Sequence, residues 1–127
     1  QIKFDKSLYR TTSLEDPSFS KEITIDLLKN NPELNCIICS TEYSSVGAIQ
    51  ACAELYKKIG EDISIITFDG PVVESLTNPK LTAISHPLEE LGTNAINILL
   101  GSPKKTQPAN YIVKPHIIDR GSVKTLI

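Results

Sequence analysis

The stretch Ile63–Gly70, with the sequence ISIITFDG, is the strongest indicator of the fold. Its first six residues are rich in β-branched side chains and end at a polar pair, which is typical of a buried β-strand. A shorter run of the same kind, Cys36–Cys39 (CIIC), predicts another strand, buried on both faces. Two further strands are predicted over Leu81–Ser85 and Tyr111–Ile118. Pro115 places the last of these at a sheet edge or a bulge, because proline has no N–H to donate.

Three longer helices are predicted between the strands. Asp16-Pro17 suits an N-cap followed by the first helical residue, and Asn30-Asn31-Pro32 ends this first helix. The second helix runs from about Tyr43 to Ile59 and ends at Gly60, which permits a left-handed cap. The third extends from Pro87 to Gly101. Their apolar faces are Phe19, Ile23, Leu27 and Leu28 in the first, Val46, Ile49, Ala53, Tyr56 and Ile59 in the second, and Leu88, Leu91, Ala95, Ile98 and Leu99 in the third.

The alternation of strands with helices predicts the fold class. A short helix over Pro71–Leu76 is also expected between two of the strands. Parallel strands that are joined by helices form a sheet with helices on both faces. We therefore predict an α/β fold, a parallel-sheet α/β/α sandwich, and 127 residues give room for one compact domain.

The composition excludes several classes of protein. Lysine plus arginine number 13 against 15 acidic residues, so the chain lacks the basic surplus that binding to nucleic-acid phosphates requires. No apolar run approaches the roughly 20 residues of a membrane span. Three cysteines, an odd number, favour a reducing compartment over a disulfide framework. The chain begins with Gln1 and contains no methionine, which indicates a processed protein or a piece of a longer one.

Polar residues follow two of the predicted strands, at the edge where open parallel sheets bind ligands. Asp69 comes directly after the run Ile63–Phe68. Its carboxylate either accepts hydrogen bonds from ligand hydroxyls or caps the next helix, and the residues favour neither role. Thr41 and Glu42 follow the CIIC strand, and for these two residues capping of the second helix is favoured over ligand contact.

No pattern in the sequence indicates catalysis, a metal site or a cofactor. Cys36 and Cys39 have Cys-x-x-Cys spacing, but strand residues three apart point to opposite faces. We therefore interpret these two cysteines, and Cys52, as core residues. His86 and His116 each lie next to a proline, without a nucleophile at a recognised spacing. We expect no catalytic residue, no metal and no cofactor.

Four segments, in matching order and spacing, resemble the LacI/GalR family of bacterial transcription regulators. Ser40–Ala53 resembles the family's Asn-Asp-x-x-Ala-x-Gly-Ala segment, and Ile63–Gly70 resembles its Val-Ser-Val-Ile-Gly-Phe-Asp segment. Leu81–Pro87 resembles the Leu-Thr-Thr-Val-x-x-Pro block, and Ile118–Ser122 resembles the terminal Leu-x-x-Arg-x-Ser. Together the four segments cover the chain from the first helix to its end.

The resemblance implies a domain organisation. Members of the family have a helix-turn-helix DNA-binding head, a hinge, and a two-lobed effector domain like the type I periplasmic sugar-binding proteins. This chain resembles the C-terminal part of that effector domain. Residues 1–85 and 111–127 are expected to form its C-terminal lobe, and residues 86–110 a crossover helix and loop that belong to the N-terminal lobe.

The resemblance also implies ligand contacts. Asp69 matches the aspartate that binds sugar hydroxyls in many members of the family. Thr41 and Glu42 occupy the positions of the usual Asn-Asp pair, so an amide contact to the ligand is lost. Phe19 lies in the stretch that often supplies an aromatic ring stacked on a sugar face. Thr67 replaces the glycine that usually stands two residues before the aspartate.

The expected function is that of a non-enzymatic, ligand-sensing fragment of a cytoplasmic transcriptional repressor. The implied partners are a sugar or sugar derivative in the interlobe cleft, operator DNA bound by a head outside this chain, and a second copy in a homodimer, with no membrane. An exported sugar-binding protein of a transporter, with the same two-lobed fold, is the alternative. An α/β enzyme or a phosphoacceptor receiver domain is a third and less favoured class.

Overall fold

A computed structural model describes residues 3–11, 16–69, 77–101 and 111–125. They form three α-helices and four β-strands, preceded by a turn of 3-10 helix over Lys6–Leu8. In chain order the elements are α1 (Pro17–Asn30), β1 (Cys36–Cys39), α2 (Glu42–Glu54), β2 (Ser64–Phe68), β3 (Thr82–Ser85), α3 (Leu88–Leu99) and β4 (His116–Ile118). The short helix predicted over Pro71–Leu76 lies outside the described residues.

The four strands form one sheet in the order β1-β2-β3-β4. β1, β2 and β3 are parallel, with Thr67 of β2 opposite Ala83 of β3, whereas β4 is antiparallel to β3. The predicted α/β class with a mostly parallel sheet is confirmed. Of the predicted final strand, only its last three residues, His116–Ile118, form β4. Pro115 directly precedes this strand, which lies at the sheet edge as expected.

The hydrophobic core lies between the sheet and α2, which contacts β1 and β2 and packs along α1. Its buried apolar residues are Leu28, Cys39, Ala48, Cys52, Ile63, Ile65 and Leu81. α1 and α2 approach each other closely at Gly47, where a Cβ would lie 2.5 Å from the Pro17 carbonyl oxygen and 2.5 Å from Ser20 Cβ. Because these distances are far below van der Waals contact, only glycine fits here.

The close approach at Gly47 also determines which face of α1 is buried. The fully buried residues lie four apart and are Ser20, Thr24 and Leu28. Of the apolar face predicted for this helix, only Leu28 is fully buried, and Phe19 is exposed. Ile23 and Leu27 are partly buried, so the predicted apolar face is confirmed in part. The face against α2 carries small side chains, because the short distance between the two helices accommodates them.

The helix boundaries follow capping chemistry. Asp16 caps α1 as predicted, since its carboxylate accepts a hydrogen bond of 2.8 Å from the backbone N–H two residues on. α2 ends at Glu54, before the predicted Ile59, and Tyr56 then adopts a left-handed φ of 53°. Gly60 has a positive φ of 84°, but it belongs to the turn into β2 and not to the end of α2.

β1 confirms the predicted strand but not its predicted burial. Cys39 is buried, whereas Cys36 is exposed and Ile38 is 67% exposed. The reason is that Cys36 and Ile38 project from one face of β1, whereas α2 packs against the opposite face, which carries Cys39. The assignment of Cys36 to the core is therefore wrong. Cys39 and Cys52 are core residues as predicted, and burial raises the pKa of both thiols to about 11.

The segment after β4 connects β2 to β3 through hydrogen bonds. Ser122 is fully buried, and its hydroxyl donates to the Ile65 carbonyl oxygen at 2.6 Å and accepts from the Thr82 N–H at 2.7 Å. The Arg120 guanidinium donates to the Leu81 carbonyl oxygen at 3.1 Å. These bonds bring the C-terminal segment into the sheet, where it holds the two strands that end at the candidate site.

α3 has an apolar face that no part of the described chain covers. The helix itself is confirmed, since it spans Leu88–Leu99 and Gly101 follows it with a φ of 61°. None of its residues is buried, and all five residues of its predicted apolar face are exposed. Among the described residues, no helix has the length and apolarity to cross a membrane.

Candidate ligand-binding site

Asp69 lies where β2 ends, beside its parallel neighbour β3. Its backbone N–H donates to the Ile84 carbonyl oxygen at 2.9 Å, which extends the pairing of the two strands by one residue. Its φ of 57° lies in the left-handed region, which aspartate adopts more readily than most residues with a side chain. The side chain is 47% exposed. Asp69 therefore departs from strand geometry at the end of β2 and presents an accessible carboxylate at the carboxyl edge of the sheet.

His86, directly after β3, is the hydrogen-bond partner of Asp69. The imidazole Nδ1 lies 2.7 Å from Asp69 Oδ1, and the His86 backbone N–H donates to the same oxygen at 3.3 Å. These bonds, the one from the imidazole foremost, hold the pKa of Asp69 below its ordinary value of 3.8, so the carboxylate is ionised at neutral pH. Within the described part of the chain, Asp69 Oδ2 has no hydrogen-bond partner. The alternative role of Asp69 as cap of the helix predicted over 71–76 lies outside the described residues.

Thr41 is the N-cap of α2. Its hydroxyl oxygen accepts from the Ser44 N–H at 3.1 Å, and the Ser44 hydroxyl oxygen accepts from the Thr41 N–H at 3.1 Å. This reciprocal arrangement is a capping box, so the favoured capping role of Thr41 is confirmed. Glu42 is the first residue of the helix and is half-buried. At this position a negative charge stabilises the helix through its favourable interaction with the helix dipole.

A buried pair of hydroxyls fastens the start of α2 to β2. Ser45 Oγ and Thr67 Oγ1 are 2.6 Å apart, and both side chains are buried. Ser45 Oγ also lies 3.0 Å from the Thr41 carbonyl oxygen. Because Thr67 stands two residues before Asp69, this contact fixes the N-terminus of α2 relative to the strand that presents the carboxylate. The hydroxyl at the position of the family's glycine thus has a structural partner.

Three of the four predicted site residues follow strands at the carboxyl edge of the sheet. Thr41 and Glu42 follow β1 and Asp69 follows β2, and these strands are adjacent and parallel. Phe19 is exposed in the first turn of α1, the turn that Gly47 brings against α2. Sequence reasoning missed His86. Its position directly after a strand, like that of Asp69, is the feature that predicts it once the two strands are known to be neighbours.

A cavity of about 450 Å³ lies elsewhere, between the segment Leu8–Thr11, α1 and β1. Leucine and isoleucine side chains, together with Cys36, form much of its lining. None of the four predicted site residues, and not His86, lines it. The cavity lies along β1, and Ser40 and Ser44, which flank Thr41 and Glu42, are the lining residues nearest to them in sequence.

The chain matches a known domain family over most of its length. Residues 7–123 match the family of periplasmic binding protein-like domains. The HTH-type transcriptional regulator RegA of Clostridium saccharobutylicum is 26% identical over 95% of this chain and 37% of that protein. The HTH-type transcriptional repressor PurR of Histophilus somni is 29% identical over 87% of this chain and 34% of that protein.

Solved structures share the fold. A LacI-family transcriptional regulator from Enterococcus faecium, with bound ribose, matches with a TM-score of 0.72 and 26% identity. The match covers 88% of this chain and 42% of that chain. The present chain thus spans about a third to two fifths of the length of these proteins. All three are transcriptional regulators.

Proposed function

The chain belongs to the family of periplasmic binding protein-like domains, and on this basis we propose that it is the ligand-sensing part of a LacI/GalR-type transcriptional repressor. Its relatives are LacI- and PurR-type regulators, which confirms the resemblance seen in the sequence. The observation that best supports ligand sensing is the ionised, accessible carboxylate of Asp69 at the carboxyl edge of a parallel sheet. Open α/β sheets bind their ligands at this edge.

The ligand that we propose is a sugar or sugar derivative. Ribose is bound to the regulator from Enterococcus faecium, whose fold this chain shares. In our proposal Asp69 accepts hydrogen bonds from sugar hydroxyls, and such charge-assisted bonds are stronger than neutral ones. Thr41 and Glu42 contribute polar groups from the neighbouring strand end, and the exposed ring of Phe19 stacks on a face of the sugar.

Sensing follows from a difference in affinity. A sugar that binds more tightly when two lobes are closed around it shifts the protein toward the closed arrangement. If the closed and open arrangements bind operator DNA differently, the sugar and the DNA change each other's affinity by the same factor. In this proposal a DNA-binding head outside the chain contacts the operator, the protein is a cytoplasmic homodimer, and the chain has no enzymatic role.

The exposed face of α3 supports a division of the chain between two lobes. Residues 1–85 and 111–127 form the C-terminal lobe in this proposal, and residues 86–110 are a crossover helix and loop that pack on the N-terminal lobe. α3 is amphipathic yet buries none of its residues against the described chain. Full burial of one leucine or isoleucine side chain is worth roughly 1.5–3 kcal/mol, so a covering lobe stabilises such a helix substantially.

Calorimetric titration of the full-length protein with ribose, galactose and lactose tests the proposal. We expect the native protein to bind at least one of these sugars. Asp69→Ala is expected to weaken binding about 10- to 100-fold, since a hydrogen bond to a charged group contributes about 1.5–3 kcal/mol. Asp26→Ala is the matched control, because this exposed carboxylate on α1 pairs with Asn30 of the same helix and lies outside the site.

Two results would contradict the proposal. One is a folded native protein that binds none of the sugars. The other is an Asp69→Ala protein that binds as tightly as the native protein. The alternative, an exported sugar-binding protein of a transporter, predicts sugar binding without any affinity for operator DNA. A mobility-shift assay with and without sugar distinguishes the two, and the regulators among the relatives favour the first.

A further inference from the structure

We propose that Ser45 and Thr67 are positioning residues, whose mutual hydrogen bond fixes the start of α2 relative to Asp69 and thereby determines the affinity for the ligand. The inference rests on the proposed function, because it concerns the same site. Ser45 Oγ and Thr67 Oγ1 are 2.6 Å apart, and the two residues are 0% and 1% exposed. A buried hydrogen bond between two side chains that are 22 residues apart thus joins a helix to a strand.

Each of the two hydroxyls lies close in sequence to one part of the candidate site. Ser45 is in the first turns of α2, which begins at Glu42 and is capped by Thr41. Thr67 stands two residues before Asp69 and is opposite the last residue of β1 in the sheet. The bond therefore links the segment that follows β1 to the strand that presents the carboxylate.

The neighbouring hydrogen bonds indicate the direction of this bond. The Thr41 carbonyl oxygen already accepts from the Ser45 N–H at 3.1 Å and from the Ser44 hydroxyl at 2.8 Å, which uses its two lone pairs. The Ser45 hydroxyl therefore donates to Thr67 Oγ1, the nearer of its two acceptors. The Thr67 hydroxyl in turn donates to the Phe68 carbonyl oxygen at 3.2 Å. The hydrogen bonds thus continue from α2 to the last residue of β2.

The two hydroxyls occur together at positions where the LacI/GalR segments have smaller residues. The segment Asn-Asp-x-x-Ala has alanine at the position of Ser45, and the segment Gly-Phe-Asp has glycine at the position of Thr67. Neither alanine nor glycine has a side chain that forms hydrogen bonds. The bond is therefore a feature of this chain and not of the family pattern, and each buried hydroxyl supplies the partner that the other requires.

A hydrogen bond restricts the site more than apolar packing does. Hydrophobic contacts are non-directional, whereas a hydrogen bond favours one distance and one range of angles. A ligand that contacts both Asp69 and the start of α2 binds best when these two groups are already at the correct separation. Groups held in their binding arrangement lose less entropy when the ligand binds, and this increases affinity.

The double variant Ser45→Ala/Thr67→Val separates positioning from a merely structural role. It removes both hydroxyls and fills the space with apolar groups, so we expect the melting temperature of the full-length protein to stay within about 2 °C of the native value. In calorimetric titrations with ribose, galactose and lactose, we expect Kd for each sugar that the native protein binds to rise about tenfold. Ser45→Ala alone removes the donor, and the same rise is expected if the double variant does not fold.

Thr67→Ser is the conservative variant, since it keeps the hydroxyl and loses one buried methyl group. We expect its melting temperature to fall by about 2–4 °C while Kd stays native. Thr24→Val is the matched control for the removal of a buried threonine hydroxyl. Thr24 Oγ1 donates at 2.8 Å to the Ser20 carbonyl oxygen within α1, so we expect this variant to have native Kd.

A positioning role requires affinity and stability to change independently in these variants. Affinity that follows the melting temperature in all of them overturns the positioning role, and so does native affinity in the double variant. The proposed function survives either result if Asp69→Ala still loses binding. A folded native protein that binds none of the three sugars overturns the proposed function and this inference together.

Discussion

β2 and α3 are both apolar elements, yet one lies at the centre of the molecule and the other lies on its surface. β2 is paired on both sides by β1 and β3, and its Ile65 is fully buried. α3 has a broad apolar face, and its Ile98 is 54% exposed. The comparison shows that an apolar pattern predicts an element, but not whether the described chain covers its apolar face.

Matched isoleucine substitutions give the most sensitive test of this comparison. In the 127-residue chain, Ile65→Ala removes fully buried atoms and is expected to reduce the free energy of unfolding by about 2–5 kcal/mol. Ile98→Ala is expected to change it by no more than about 0.5 kcal/mol, because the side chain is exposed and alanine favours helix. Urea denaturation of the native chain and the two variants measures both values.

The same pair of variants also tests the proposed division between lobes. In the full-length protein, Ile98→Ala is expected to become clearly destabilising, because a covering lobe buries the side chain that the chain alone leaves exposed. An equally small effect of Ile98→Ala in both proteins would show that no lobe covers α3. A large effect in the isolated chain would contradict the exposure of α3 itself.

Two glycines, one in a buried helix contact and one on the exposed helix α3, allow the same comparison for the packing of the backbone. Gly47→Ala is expected to destabilise the chain by about 1–3 kcal/mol, since its Cβ meets the Pro17 carbonyl oxygen, which cannot move without shifting α1. Gly92→Ala, in α3, has no atom within 4 Å of the new Cβ and is expected to stabilise by about 0.5–1 kcal/mol. Thermal unfolding followed by circular dichroism should show shifts of opposite sign. Shifts of the same sign would contradict the close packing at Gly47 or the open surroundings of Gly92.

Much of the fold could be predicted from local patterns. The run Ile63–Phe68 predicted the central strand, and Asp16-Pro17 predicted the start of α1 because its capping atoms lie within two residues of each other. The burial of β1 could not be predicted, because it depends on which elements pack against each face of the sheet. The buried face of α1 could not be predicted either, because it depends on Gly47 in another helix.

The features of the candidate site also separate into those visible in one segment of sequence and those that depend on contacts between distant segments. Asp69 was predicted because a carboxylate directly after an apolar run is visible in one segment of sequence. His86 was missed because its contact with Asp69 spans 17 residues and requires β2 and β3 to be neighbours. The buried contact between Ser45 and Thr67 was missed for the same reason, since it joins a helix to a strand 22 residues away.

Asp69 lies between the two regions compared, since it follows the buried strand β2 but is half exposed. Its pKa in the folded chain is below the ordinary 3.8, so its ionised form stabilises the fold above about pH 4, and this contribution is lost as the pH falls through the folded value. Solvent screening limits it to less than about 1 kcal/mol. We expect the native chain to be slightly more stable than Asp69→Asn at pH 7 and equally stable at pH 2, as measured by urea denaturation. A stability difference that stayed the same on acidification would mean that the His86 hydrogen bonds do not favour the carboxylate, and Asp69 would then behave as a free surface residue.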